Sequence, residues 1–377
     1  MKRSVTVLAA VFVAVACIVA SGCGGATSTG TADGSSAPGM TASSQPQPAV
    51  SGLPYYFFAV HNEPFNRPNG RAEIEEAYGA LREMVARADS CNIKLTLMFS
   101  AQWADYIAES PERLAEVRSW KAAGHEMSAH HHGVWHGSWD GYSSYPEVEA
   151  DALRVQQGHS PPEEYHGTLD DYMAHLYRID PGIKSGCLNE EPDKREMPDQ
   201  ILYGTGSGLA NHGEPGVREM DPTPTKAIND FITVGNVNGI QRKWLAHYQV
   251  YQDEASARQV FDRMDSGAFG GVVHSVRSQA EVLFNLMEYI HQQDPQGLNS
   301  RTMTGIIEGG LLPEKTVSDE VINQMDTAPK GPRKGPGGPR QRSSSRWEDG
   351  GRLTDYLTLP VLVYDRELAV DEVLPVC

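Results

Sequence analysis

Between residues 53 and 292 short apolar runs alternate with longer amphipathic stretches, and this alternation most limits the folds open to the chain. Tyr55-Tyr56-Phe57-Phe58-Ala59-Val60 is a continuous apolar run, as a strand covered on both faces requires. Residues 71–89 follow with helix formers and apolar positions at Ile74, Ala77, Tyr78, Leu81, Met84 and Val85, the spacing of one helical face. Ile93 to Phe99 predicts a second strand. Ser110-Pro111-Glu112 predicts a helix start with serine as cap and proline at the first position, and Gly124 predicts its stop. Glu126 to Ala129 predicts a third strand. Further strands are expected at 183–188, 200–203, 232–234 and 271–274, and helices at 163–178, 254–265 and 278–292. Repeated strand–helix units predict an α/β fold with a parallel sheet or barrel. In such barrels reactive groups gather at the carboxyl ends of the strands. His61 through Glu63, His130 through His132, and His274 all stand there.

The ends of the chain are of another kind. Lys2 and Arg3 precede the apolar run Val5 to Ala20, and Ala20-Ser21-Gly22-Cys23 closes it. This order is that of a secretory signal, and its apolar part is short for a membrane span. The closing residues resemble the lipobox of bacterial lipoproteins, which implies a signal peptide over 1–22, lipidation at Cys23 and export to a lipid-anchored place on the cell envelope. Residues 23–52, rich in Gly, Ser, Thr, Pro and Ala, predict a flexible tether. The folded domain is expected over 53–325. Residues 326–352 predict a disordered basic segment, in which 330–346 carry six basic residues and no acidic one. Residues 353–377 are expected to pack on the domain.

The formal net charge of −17 argues against a nucleic-acid partner or an anionic membrane surface. Beyond Cys17 and Cys23 the cysteines are Cys91, Cys187 and Cys377, with no C-x-x-C pair, so a cysteine-based zinc or redox site is not expected.

The most informative short stretch is His130-His131-His132-Gly133-Val134-Trp135-His136, which holds four of the chain's 13 histidines. Alternation along a strand puts His130 and His132 on one face and His131 on the other. His136 can fold back from the loop that follows. Imidazole is a frequent ligand of borderline metals such as zinc, so convergent histidines here predict a metal site.

Ile93-Lys94-Leu95-Thr96-Leu97-Met98-Phe99, then Gln102-Trp103-Ala104, then a helix running into Ala122-Ala123-Gly124-His125-Glu126-Met127-Ser128-Ala129-His130, resembles the polysaccharide deacetylase (NodB-homology) family. The similarity covers residues 91–136, with weaker support from 53–64 and 268–275. It implies a distorted (β/α) barrel, a divalent metal, usually zinc, and removal of N- or O-acetyl groups from sugars. The family's first motif is a pair of aspartates after the first strand, one a general base and one a metal ligand. Here the place reads Val60-His61-Asn62-Glu63-Pro64. Glu63 can replace the ligand, but Asn62 stands at the base position and an amide accepts no proton, which leaves His61 as the nearest base. The family's second motif has two histidines four apart. Direct alignment gives His130 and Val134, whereas His132 and His136 keep the spacing two residues later, so the ligands are expected among His130, His132 and His136 together with Glu63. Phe269 to Ser275 resembles the last motif and assigns His274 as the proton donor, with Ser275 where aspartate is usual. The family's arginine motif is not recognisable. Tyr203-Gly204-Thr205-Gly206-Ser207-Gly208 lacks the lysine of a phosphate loop, so no nucleotide is expected. Trp135, Trp139, Asp140 and Tyr142 are expected to wall a sugar site.

The expectation is thus a lipid-anchored, zinc-dependent deacetylase-like hydrolase acting on a cell-envelope or extracellular glycan. Two alternatives stand beside it: a barrel without catalysis that binds a glycan or metal, and a glycoside hydrolase. The latter needs two carboxylates flanking the bond, from among Glu63, Asp140, Glu190, Glu191 and Glu308.

Overall fold

The computed structural model describes residues 49–134, 136, 138–157, 164–188, 196–206 and 227–320. The signal, Cys23, most of the tether, the basic segment and the C-terminal segment lie outside these residues, as do Trp135, Glu190 and Glu191.

The chain opens with β1 (Tyr55–Asn62), α1 (Gly70–Ser90) and β2 (Leu95–Phe99), followed by α2 (Ala101–Ala108), α3 (Pro111–Ala122) and β3 (Glu126–His131). Next come α4 (Glu147–Gln157), α5 (Leu169–Tyr177), β4 (Ser185–Leu188) and β5 (Tyr203–Thr205). The last part holds β6 (Ile228–Asn229), β7 (Ile232–Val237), β8 (Ile240–Leu245), β9 (Tyr248–Gln249), α6 (Glu254–Arg263), β10 (Ala268–His274), α7 (Arg277–His291), α8 (Met303–Glu308) and β11 (Glu314–Thr316). The serine cap expected on α3 forms, with Ser110 Oγ accepting from the Arg113 amide at 3.2 Å.

The fold is α/β, built on one sheet in which β10, β1, β2, β3, β4, β5 and β8 lie side by side, all parallel. Its two ends meet. β9 is separated from β8 only by Ala246 and His247, and it pairs in parallel with β10 through Gly271 with Tyr248 and Val272 with Gln249. One stretch of chain, 240–249, therefore serves β5 on one side and β10 on the other, and closes a distorted barrel. Asn229 stitches this seam: its side chain donates to the carbonyls of Ala246 (2.9 Å) and Ala268 (3.2 Å) and accepts from the Ala246 amide (2.6 Å). Gly270 permits the approach, since a Cβ there would fall 2.2 Å from the Ala246 carbonyl oxygen. β7 and β11 extend the sheet beyond β8.

β1 is buried on both faces, as its unbroken apolar run requires. Tyr56, Phe58 and Val60 pack with α1 and α7 residues such as Leu81, Met84, Leu283 and Met287. Phe57 and Ala59 point the other way and join Met98, Cys187, Leu245 and Val272 in a second cluster, which Met303, Ile306 and Ile307 of α8 cover. On β1 and β10 the barrel interior is thus apolar up to the carboxyl ends of the strands. The same alternation continues past Ala59 to His61, and past Val272 to His274, so the polar layer begins where the apolar one stops.

Glu126 ties the middle of the sheet together. It accepts from Thr96 Oγ1 of β2 (3.0 Å), from the Thr304 amide of α8 (3.1 Å) and from the Ser185 hydroxyl of β4. His125 is buried and its Nδ1 accepts from the Leu95 amide at 3.0 Å. The His125-Glu126 pair that carries much of the family resemblance is therefore structural.

Candidate metal centre

Three strand ends supply the site. His61, next to last in β1, lies beside His274 of β10, its register partner, and Glu63 follows one residue past β1. β3 delivers His130 within its length and His132 just after it. Glu63 Oε1 lies 3.3 Å from Nε2 of both His130 and His274, and its Oε2 lies 3.8 Å from Nε2 of His132. The Nε2 atoms of His130 and His132 are 2.9 Å apart. A zinc-like ion binds such donors at about 2.0–2.1 Å, so ligand-to-ligand edges should run from about 2.9 Å at a right angle to about 3.4 Å for a tetrahedron. The 2.9 and 3.3 Å separations fall within that range, and the Glu63–His132 one, at 3.8 Å, exceeds it. The Trp103 indole of α2 donates to the Glu63 carbonyl at 2.8 Å and anchors the residue to the barrel wall.

The hydrogen bonds decide which nitrogen faces the centre. His132 Nδ1 donates to the Ser138 carbonyl at 3.0 Å, which leaves the lone pair on Nε2. His274 Nδ1 donates to Gln279 Oε1 at 3.0 Å, which leaves Nε2 as the nitrogen turned to Glu63, and Gln279 also accepts from the His274 amide at 2.7 Å. Because His132 Nε2 carries a lone pair, something positive must lie between it and His130 Nε2: a proton on His130 or a cation. Two buried nitrogens, His61 Nε2 and His130 Nδ1, have no hydrogen-bond partner among the described residues.

Burial raises the Glu63 carboxyl, but the imidazoles of His132, His130 and His274 outweigh it and hold the group well below the usual carboxylate range. Burial pushes His132 down to about 3. It also carries His61 well below the ordinary histidine value, with the neighbouring imidazoles acting in the same direction. At neutral pH the pocket therefore presents an ionised Glu63 carboxylate beside the neutral imidazoles of His61 and His132. That donor set fits a divalent cation. Glu63, His130 and His132 bring ligand atoms within 4.8 Å of one another, as do His61, Glu63 and His274, and also His61, His130 and Cys187, so a cysteine stands nearer the cluster than the sequence led one to expect.

Of the expected ligands, His136 stands apart from these sets. Its ring stacks on His132 at 3.8 Å, and its Nδ1 accepts from the Ser138 amide at 3.1 Å. Asn62 is buried and its amide donates to the Met98 carbonyl at 2.7 Å, so that group is engaged with β2.

The expected sugar wall needs correction. Trp139 and Asp140 are fully buried and Tyr142 nearly so, with the Trp139 indole donating to the Tyr142 carbonyl at 2.7 Å. Asp140 instead lies on the far side of β3 from the cluster. Its Oδ2 meets His131 Nδ1 at 2.7 Å and accepts from the His132 amide at 3.1 Å, and its Oδ1 accepts from the Tyr142 amide at 3.0 Å. Glu196 completes the group, with Oε2 3.5 Å from His131 Nε2 and Oε1 accepting from Ser143 at 2.6 Å. Burial lowers His131, but Asp140 and Glu196 prevail and push it up to about 9, so it is a buried cation.

Sequence reasoning missed Glu196 and His247. His247 sits between β8 and β9, its ring 5.4 Å from that of His61 and its Nδ1 2.9 Å from Thr205 Oγ1. The signal was present: Trp244-Leu245-Ala246-His247 is an apolar run ending in histidine, like Val272-Val273-His274. Among the carboxylates considered for glycoside hydrolysis, Glu190 and Glu191 lie outside the described residues, Glu308 pairs at the surface with Lys184 and Tyr203, and Asp140 is buried behind β3, so of the described ones Glu63 stands at the cluster.

No family model matches the chain, and no curated protein is similar to it in sequence. Among solved structures it is similar to a candidate polysaccharide deacetylase from Mycobacterium smegmatis, at 12% identity and a TM-score of 0.41, over 73% of this chain and 98% of that one. It is also similar to a 4-alpha-glucanotransferase from Thermococcus litoralis, at 12% identity and a TM-score of 0.38, over 72% of this chain and 38% of that one. The chain thus spans well under half the length of the glucanotransferase.

Proposed function

We propose that the protein is a metal-dependent hydrolase that removes acetyl groups from a cell-envelope or extracellular glycan, held at the envelope by a lipid on Cys23. The observation that carries the proposal is the convergence of Glu63, His130 and His132 at the carboxyl ends of parallel strands, with ligand atoms within 4.8 Å of one another. These three residues would hold the ion, and zinc suits their donors. A divalent cation there supplies Lewis acidity toward an acetyl carbonyl and makes a neighbouring water more acidic.

The chain's own groups handle the protons. His61 is neutral and buried, with an unpartnered Nε2, and accepts the proton from the attacking water. His274 stands nearer the rim, its side chain 20% exposed, with Nδ1 committed to Gln279. Its Nε2 is the group available to protonate the departing amine or alkoxide. The apolar layer of Phe57, Met98 and Leu245 beneath the cluster keeps water from entering the pocket from below.

Release of acetate from acetylated glycans tests this reading. Release should stop with a chelator, return with zinc, and be lost in Glu63→Ala. No acetate from any acetylated glycan, with the protein loaded with a single equivalent of zinc, sinks the proposal, and new reducing ends without acetate point to a glycoside hydrolase instead. One observation favours a second reading, a metal- or glycan-binding barrel without turnover: Asn62 stands where a base is expected and its amide is held by Met98. Saturable glycan binding with no acetate released would establish it.

A further inference from the structure

Glu63 has histidines on two sides. His130 and His132 approach from β3, and His61 and His274 from β1 and β10, where the two strands run in register. We propose that the pocket holds a second divalent cation, ligated by His61, His274 and Glu63, with the Glu63 carboxylate bridging it to the first. The inference rests on the metal-dependent reading above and extends it.

Four observations carry it. His61, Glu63 and His274 place one ligand atom each within 4.8 Å of one another, a set that shares only Glu63 with the β3 set. Glu63 Oε1 is equidistant, at 3.3 Å, from Nε2 of His130 and Nε2 of His274, and a carboxylate with two oxygens can serve two ions about 3.5–4 Å apart. Gln279 accepts from His274 Nδ1, so Nε2 is the ring nitrogen turned to the carboxylate oxygen. Finally, Nε2 of His61 is buried with no hydrogen-bond partner among the described residues, a costly state that a cation would relieve.

The pocket also admits an ion at this place. Glu63 and His274 keep partly exposed side chains, and Tyr251 flanks the His274 ring at 5.4 Å. Imidazole with carboxylate suits zinc, cobalt or manganese. The second cation takes the lone pairs that His61 and His274 otherwise offer to protons, so turnover belongs to the singly loaded protein.

Elemental analysis of the untagged full chain, stripped by chelator and dialysed against zinc, tests the proposal. Two equivalents per chain are expected for the wild type and one for His274→Ala, with His274→Gln in its place if circular dichroism shows the alanine variant unfolded. A wild type that saturates at one equivalent overturns the second site and leaves the first standing, whereas no bound metal overturns both. A His274 variant that still holds two equivalents also overturns the assignment. With manganese, the doubly loaded wild type should show a spin-coupled paramagnetic resonance spectrum, and two equivalents giving only isolated-ion signals overturn the bridging role of Glu63.

Discussion

Asp140 Oδ2 meets both His131 Nδ1, at 2.7 Å, and the backbone amide of His132, at 3.1 Å, so one carboxylate pairs a buried cation and fixes the strand end that aims the ligands. Asp140→Asn leaves His131 without its main counter-charge and should destabilise the fold by about 3–5 kcal/mol. The pH dependence follows the same pair. His131 rises from 6.5 to about 9 on folding, so its contribution is complete below pH 6.5 and is lost as the pH climbs through about 9. Urea unfolding of the metal-free protein between these values should show stability falling with pH, and the fall should shrink in Asp140→Asn. An unchanged slope in the variant would disprove the pairing.

Gln279 Oε1 accepts from both His274 Nδ1 and the His274 amide. Removing an outer partner of a functional histidine costs about 10–100-fold in activity or affinity. Gln279→Ala should therefore lower acetate release by about tenfold or more, while the protein retains the ion held by Glu63, His130 and His132. Loss of both metal equivalents together would show that Gln279 supports the whole barrel end rather than one imidazole.

At the seam, Gly270→Ala would put a methyl group 2.2 Å from the Ala246 carbonyl oxygen. Neither backbone can retreat without breaking the β9–β10 pairing, so the cost should reach or exceed the usual overpacking penalty of about 1–3 kcal/mol. Thermal denaturation gives the measurement, and a variant with wild-type stability would mean that β9 does not close the barrel.

Cys23→Ser should move the protein from the membrane fraction to the soluble one on detergent phase partition. A single acyl chain holds a protein only marginally, whereas two or more anchor it stably, so the change should be large. Equal partition of variant and wild type would remove the lipid anchor from the proposal.

Much of the barrel was legible because β1, α1, α3 and β10 have strong local patterns: an unbroken apolar run, a helical stripe, a Ser-Pro start and a run ending in histidine. The later strands were harder. β5 was expected at 200–203 but begins at Tyr203, since Leu202 and Tyr203 first bond back to the Lys184 carbonyl and delay the ladder. The β7–β8 hairpin was read only as 232–234, although Asn238-Gly239, with φ of 54° and 78°, is the two-residue turn such hairpins favour. α2 went unread because it starts one residue after β2, leaving no break in the pattern. At the site, four residues singled out from spacing and resemblance, Glu63, His130, His132 and His274, lie together. Asp140 was misread because a carboxylate among aromatics looks like a sugar-binding surface. Its true surroundings depend on His131 facing a buried layer, which strand alternation alone does not reveal.

Tyr55 and Ala268 are register partners, although more than half of the polypeptide separates them. Glu63 and His274 therefore come within reach of each other only after the first and last strands of the ring have found one another. A truncated product ending ahead of β10 would retain Glu63, His61, His130 and His132 but lose His274, which makes uptake of a second ion a reporter of complete assembly.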